Sequence, residues 1–236
     1  MQTYYQQLEK QYSGQTALNI PSLKIEQGEL VGIVGNNGAG KTTLLRLTLD
    51  LIEATEGYVQ IGDEKVNDST HWKRHTGSFL DEGFLIGFLT PREYFHFNGE
   101  VYGLSPQQVD ENLEQYRRFL GEEIMDTDKY IRQLSTGNKQ KVGIAAAMLP
   151  KPSLLLLDEP FNFLDPSSQL IIRNLIKEEN ERRGTTMLIS SHNINHLSGI
   201  CQRVILLEKG LIIKDIRPDA NGGLDEVERY FASQAE

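Results

Sequence analysis

Three short stretches of this chain carry apolar side chains at consecutive rather than alternating positions. They are Leu30-Val31-Gly32-Ile33-Val34, Leu154-Leu155-Leu156-Leu157 following Ser153, and the segment from Thr185 to Ser190. A strand wetted on one face alternates, whereas a continuous apolar run is buried on both faces, as in a parallel sheet covered by helices. Elsewhere the period changes. From Lys41 to Ile52, apolar residues at 44, 45, 49 and 52 fall on one helical face. Thr90-Pro91-Arg92-Glu93 is a capping box with proline at the first helical position. Tyr94, Phe95, Val101 and Tyr102 are expected to form that helix's apolar face, with Gly103 as its stop. Ser105-Pro106-Gln107-Gln108 repeats the start signal, and Val109, Leu113, Tyr116 and Leu120 follow at helical spacing. Further helices are expected from Lys139 to Leu149, closed by Pro150, and from the Asp165-Pro166 cap to Arg183, ended by Gly184.

The remaining patterns are strand-like. The segment up to about Glu29 reads as strands around a turn at Ser13-Gly14, and Gly57 to Gly62 alternates. Val204 to Leu207 and Leu211 to Lys214 read as a hairpin about Glu208-Lys209-Gly210, and Leu224 to Ser233 as a short terminal helix. Strands alternating with helices predict an α/β fold with a mostly parallel sheet, an N-terminal antiparallel β part and an inserted helical subdomain. The expected division of one domain over 1–236 is a core of 1–90 and 135–215, a helical lobe at 91–134, and a tail at 216–236.

Between the first buried run and the first helix lies Gly35-Asn36-Asn37-Gly38-Ala39-Gly40-Lys41-Thr42, followed by Thr43. It fits G-x-x-x-x-G-K-[ST], and the strand before it and helix after it are the context that phosphate-binding loop needs. Gly38 and Gly40 allow the chain to turn tightly, so that successive N–H groups face an anion. The helix start adds its unpaired N–H groups. Lys41 is then placed for the outer phosphates, and the Thr42 hydroxyl for Mg²⁺.

Composition narrows the functional classes. The chain has 236 residues and a formal net charge of −9, which argues against a general nucleic-acid binder. One cysteine, Cys201, excludes an intrachain disulfide framework. No apolar run approaches the length of a membrane span, and Met1 to Tyr12 lacks a signal-peptide core. Any membrane role is therefore expected to come through a partner. His71 and His75 stand four apart, a spacing shared by zinc pairs and by ordinary solvated helical turns, and no further ligand lies near. His192 and His196 have the same spacing, but Asn193 stands where the zinc motif needs Glu.

Four further features accompany the phosphate loop. Asp158-Glu159 ends the leucine strand, where open α/β sheets place ligands. The first carboxylate suits Mg²⁺ through water, and the second suits orienting and polarising the attacking water. Leu134-Ser135-Thr136-Gly137-Asn138 opens a helix, Asn162-Phe163-Leu164-Asp165 follows the carboxylates, and Ser190-Ser191-His192 follows the third apolar strand. With these in place the chain resembles, over nearly its whole length, the ATPase subunit of an ABC transporter. Gly35 to Thr42 matches that family's Walker A, Leu134 to Asn138 its signature, Leu154 to Glu159 its Walker B, Asn162 to Asp165 its D-loop, His192 its switch histidine, and Tyr12 the aromatic that stacks on adenine. The resemblance implies ATP and Mg²⁺ as ligands. It implies Glu159, His192 and Lys41 as catalytic residues, Thr42, Asp158 and Asp81 at the metal, and a head-to-tail pair in which Ser135 and Gly137 of one subunit face the other's Walker A. It further implies a second ATPase subunit, identical or different, and an integral membrane permease that holds the protein on the cytoplasmic face of the membrane.

Two departures stand out. Thr136 and Asn138 interrupt the usual Leu-Ser-Gly-Gly-Gln, and the variant Ser-Thr-Gly followed by Lys-Gln resembles export-type members. In Gly77-Ser78-Phe79-Leu80-Asp81-Glu82, Asp81 falls where the family usually has Gln, or Glu82 does after a slip of one residue. Phe84, Leu85, Ile86, Phe88 and Leu89 form an apolar run resembling the family's permease-docking surface. The expected function is ATP hydrolysis powering a separate permease, with export the expected direction. The alternatives are a soluble ABC-type ATPase serving a cytosolic assembly such as iron–sulfur cluster biogenesis, and phosphoryl transfer to a small metabolite.

Overall fold

The computed structural model describes residues 1–217. The helix expected at Leu224 to Ser233 lies outside the described residues. The strands are β1 (Thr3–Tyr12), β2 (Gln15–Ile25), β3 (Leu30–Val34), β4 (Glu56–Ile61), β5 (Glu64–Lys65), β6 (Thr76–Phe79), β7 (Leu154–Leu157), β8 (Thr186–Ser191), β9 (Arg203–Glu208) and β10 (Leu211–Ile216). The helices are α1 (Lys41–Thr48), α2 (Pro91–Val101), α3 (Pro106–Glu114), α4 (Arg117–Leu120), α5 (Glu122–Met125), α6 (Thr136–Met148), α7 (Pro166–Arg183) and α8 (Ile194–Leu197). One sheet has the order β2-β1-β4-β5 and is antiparallel throughout. The other has the order β10-β9-β3-β8-β7-β6, parallel except for β10 against β9.

The four leucines of β7 show why the second sheet is buried on both faces. Leu154 and Leu156 point into a core shared with α1 and the antiparallel sheet, among Leu44, Leu45, Ile20 and Tyr5. Leu155 and Leu157 point into the opposite core, among Val142, Ile144, Ile172 and Phe95. All four are fully buried, and each contributes about 1.5–3 kcal/mol relative to exposure. Helix α1 is thus held between two sheets, which fixes the loop in front of it.

The inserted helices begin as their caps require. Thr90 accepts from the Glu93 N–H at 3.3 Å while the Glu93 carboxylate accepts from the Thr90 N–H at 2.8 Å, and Ser105 and Gln108 repeat the arrangement. The face of α2 differs from expectation. Pro91, Phe95 and Gly99 are buried at steps of four, Tyr94 and Tyr102 are half-buried, and Val101 is 67% exposed. At about 100° per residue Val101 lies about 120° around the helix from Phe95 and about 160° from Gly99, away from the buried stripe. Tyr102 instead donates to the Thr76 carbonyl at 2.7 Å, tying α2 to β6.

Two helix boundaries also move. Helix α1 stops at Thr48, whose hydroxyl donates back to the Leu44 carbonyl at 2.7 Å, although Ile52 still packs on the same core. Helix α6 starts at Thr136, inside the Leu134 to Asn138 stretch expected to open a helix and ahead of Lys139, with Ser135 as its cap. Strand β6 was not evident as a strand because Gly77 and Ser78 carry no apolar signal. A Cβ at Gly77 would sit 2.0 Å from the Ala147 carbonyl, so close approach of α6 sets that residue.

Candidate functional site

The phosphate loop spans the gap between the carboxyl end of β3 and the start of α1. Gly38 (φ +82°) and Gly40 (φ +106°) occupy backbone conformations that side chains disfavour. The loop is latched from outside: the Gly210 N–H donates to the Ala39 carbonyl at 2.9 Å, and the Asn19 N–H to the Gly210 carbonyl at 2.8 Å. Gly40 caps α1 without a side-chain bond, leaving the first-turn N–H groups available to an anion. Asn37, Gly38, Ala39, Gly40, Lys41, Thr42 and Thr43 line one cavity of about 420 Å³ with Thr16, Ala17, Glu159 and Lys209. Gly35 sits beneath it, where a Cβ would come within 2.4 Å of the Leu207 carbonyl. Lys41 is buried, donates to the carbonyls of Gly35 (2.6 Å) and Asn36 (3.3 Å), and lies 3.3 Å from Glu159 Oε1. A cradle of backbone donors with one buried ammonium fits a polyphosphate.

Asp158 and Glu159 reach this loop from the end of β7. The Thr42 hydroxyl donates to Asp158 Oδ2 at 2.5 Å, and the Ser190 hydroxyl donates to Asp158 Oδ1. Burial pushes the Asp158 carboxyl above its ordinary value, and the bonds from Ser190 and Thr42 partly offset this. The hard oxygens of Thr42 and Asp158 would suit Mg²⁺, an ion that prefers oxygen ligands. Among the described residues no group of three or more His, Cys, Asp or Glu side chains is placed to hold a metal by itself.

Glu159 has φ +48°, a left-handed conformation that costs a non-glycine residue about 1–2 kcal/mol. Its surroundings enforce it. Its N–H donates to Ser190 Oγ at 2.8 Å, and its carbonyl accepts from Gln140 Nε2 at 3.1 Å. Its Oε2 meets His192 Nδ1 at 2.9 Å, and its Oε1 makes no hydrogen bond but faces Lys41. Strain held this firmly is a mark of functional positions. The arrangement can hold a water against a phosphate while keeping a carboxylate beside an imidazole.

Other expected site residues stand further away. Ser135 caps α6 by accepting from the Asn138 N–H at 3.2 Å, and a Cβ at Gly137 would come within 2.6 Å of the Phe163 carbonyl. Neither lines the phosphate-loop cavity. Tyr12 ends β1 and is exposed, with Lys10 Nζ 5.1 Å from its ring centre; it too lies outside the cavity lining. Asp81 does not meet Thr42 or Asp158: its carboxylate accepts from the Gly83 N–H at 2.7 Å and lies 3.8 Å from Arg46. Glu82 pairs instead with Lys139 of α6 at 3.0 Å. His71 and His75 lie edge to face on an exposed 3-10 turn. His196 packs on Phe161, with ring centres 5.0 Å apart.

Sequence reasoning missed what Ser190 and Gln140 do. The Ser190-Ser191-His192 segment was visible as a polar strand end, but Ser190's grip on Asp158 depends on β8 lying beside β7. Gln140 was visible only as part of a signature variant, one helical turn beyond Gly137.

The family profile described as ABC transporter matches residues 18–162. The bacitracin transport ATP-binding protein BcrA of Bacillus licheniformis is 34% identical over 211 residues, covering 89% of this chain and 67% of that protein. The methionine import ATP-binding protein MetN of Bacillus subtilis is 34% identical over 199 residues, covering 82% of this chain and 58% of that longer protein. The solved dimeric ATP-binding cassette in a post-hydrolysis state, bound to ADP and Pi, superposes with a TM-score of 0.81 at 27% identity. That match covers 91% of this chain and 98% of the other. Phosphate loop, strand-end carboxylates and family match coincide on one site, and this chain belongs to the ABC transporter family as an ATP-binding cassette that hydrolyses ATP.

Proposed function

We propose that the cassette works as a head-to-tail pair that hydrolyses MgATP to drive a separate membrane permease, exporting a substrate. The observation that carries this reading is the convergence of Lys41, Thr42, Asp158, Glu159 and His192 at one end of the parallel sheet. The loop N–H groups of residues 36–43 bind the phosphates, with Lys41 turning from the Gly35 carbonyl to the outer phosphates. Thr42 and Asp158 would hold Mg²⁺, whose charge would polarise the terminal phosphate. Glu159 orients the attacking water and accepts its proton, and His192 fixes the glutamate and contacts the departing phosphate. Tyr12 stacks on adenine from the end of β1. Ser135 and Gly137 serve the partner subunit's nucleotide, which agrees with their absence from this chain's own cavity lining.

No described helix is long and apolar enough to cross a membrane, so coupling falls to a surface. Phe84 (51% exposed) and Phe88 (68% exposed) supply an apolar patch beside α2, suited to a permease segment on the cytoplasmic side. The Ser-Thr-Gly signature supports export, while the relatives include import proteins. The test has three parts. Purified protein should hydrolyse ATP without an acceptor, and Lys41→Ala should abolish binding of the phosphates. Gentle solubilisation should recover the protein with an integral membrane partner, whereas recovery only in soluble complexes would favour the assembly role. In inverted vesicles containing that partner, ATP should drive uptake; efflux would reverse the direction.

A further inference from the structure

The turn between β9 and β10 is built tightly against the phosphate loop. Besides the Gly210 latch on Ala39, a Cβ at Gly210 would meet the Ala17 carbonyl at 2.6 Å, and a Cβ at Gly40 would meet Gly210 Cα at 3.4 Å. The preceding residue, Lys209, takes a left-handed conformation (φ +46°), unusual for a side-chain-bearing residue. It lines the same cavity as Asn37, Gly38 and Lys41. Among the described residues Lys209 has neither an ion pair nor a hydrogen-bonded acceptor for its ammonium. Lys10, Lys24, Lys73 and Lys139, by contrast, all have partners. Gly210 packs on Ala17 and Ala39, which sets Lys209 on the Thr16–Ala17 wall of the cavity. Glu159, just beyond the end of β7, lines the same cavity.

We propose that Lys209 is a further nucleotide-binding residue, a cation that meets the sugar-proximal phosphates rather than the terminal one. The inference rests on the nucleotide site described above. Lys41 is committed to the terminal end, 3.3 Å from Glu159, which leaves the inner phosphates to the loop N–H groups, with Lys209 the other cation lining the cavity. The latch onto Ala39 fixes the backbone of Lys209 beside the loop carrying the phosphates. An exposed lysine on a pinned turn gives a modest, salt-sensitive contribution to affinity.

The experiment is calorimetric titration of ATP and ADP into wild type, Lys209→Asn and Lys209→Arg at low and high salt, with steady-state hydrolysis alongside. Asparagine tolerates the left-handed backbone and removes the charge, separating electrostatics from turn geometry. Lys209→Asn should weaken ATP and ADP alike by about three- to fivefold at low salt. The deficit should shrink at high salt, the KM for ATP should rise in step with it, and Lys209→Arg should stay close to wild type. Unchanged affinity for both nucleotides would make Lys209 a solvated turn residue. Loss for ATP alone would overturn the inner-phosphate assignment, and equal loss in Lys209→Arg would show a geometric role. If wild type itself binds no ATP, the nucleotide reading fails before this one is reached.

Discussion

Replacing Ser190 by alanine tests the wiring beneath the carboxylates without touching any group that contacts substrate. Ser190 is fully buried, its hydroxyl donates to Asp158, and its oxygen accepts from the Glu159 N–H at 2.8 Å. Ser190→Ala removes a bond to an ionisable carboxyl, worth about 1.5–3 kcal/mol, and orphans a buried N–H at about 1–3 kcal/mol. The two share one atom and are not additive, so the expected loss is roughly 3 kcal/mol. With a urea slope of about 3 kcal/mol/M, the unfolding midpoint falls by about 1 M. Function should suffer separately. Glu159 holds its left-handed backbone partly through this bond, and turnover should fall about tenfold, equivalent to about 1.4 kcal/mol in the barrier, as the carboxylate loses its place. Ser190→Cys keeps a weaker donor and acceptor of similar volume and should fall between the two. The assays are urea denaturation without nucleotide and hydrolysis at saturating MgATP. A midpoint within about 0.2 M of wild type with unchanged turnover would refute the argument, since no orphaned group in a fully buried site costs so little.

Asp158 predicts a pH dependence of known sign. Burial raises its pKa, so the stability this residue contributes is complete below its ordinary value of 3.8 and is lost as pH rises through the raised pKa. MgATP requires the carboxylate, so its affinity should strengthen as pH rises through the same window, and Asp158→Asn should flatten that profile. Titrations of MgATP across this range that are already flat in wild type would contradict the assignment. For Asp81, whose carboxylate is engaged by the Gly83 N–H and Arg46, Asp81→Gln should change stimulation by the permease more than ATP affinity. Glu82→Gln serves as the one-residue control, and unchanged stimulation and Mg²⁺ dependence in both variants would make the pair a solvated loop.

Much of this fold could be read from the sequence wherever one residue's environment is set by its neighbours in the chain. The three apolar runs became β3, β7 and β8, and the two capping boxes closed as their spacing requires. Failures came where a distant element decides. Thr76–Phe79 is a strand because it pairs in parallel with β7, and residue 77 is glycine because α6 lies against it, neither of which a local pattern reveals. Val101 was expected inside because it is apolar, yet the α2 stripe of Pro91, Phe95 and Gly99 excludes it. At the site, Lys41, Thr42, Asp158 and His192 were legible by type and order. The left-handed Glu159, its support by Ser190 and Gln140, and the latch of Gly210 on Ala39 were not, because each depends on strand order in the sheet. Asp81 is held locally by the Gly83 N–H two residues on, while its approach to Arg46 depends on where β6 lies beside α1.

The measurement that bears most directly on the central claim is sedimentation of Glu159→Gln with MgATP, paired with its hydrolysis rate. The amide keeps the shape of the side chain and its reach toward His192, but cannot accept the proton of the attacking water. Ser135 and Gly137 lie outside the lining of their own chain's phosphate-loop cavity, and on the proposed head-to-tail pairing ATP held unhydrolysed should draw two copies together. The expected result is a monomer without nucleotide, a dimer with MgATP, turnover nearly abolished, and no dimer when Gly137→Asp is added. A Glu159→Gln protein that stays monomeric with bound ATP, or that hydrolyses ATP at the wild-type rate, would contradict the composite site and the role given to Glu159.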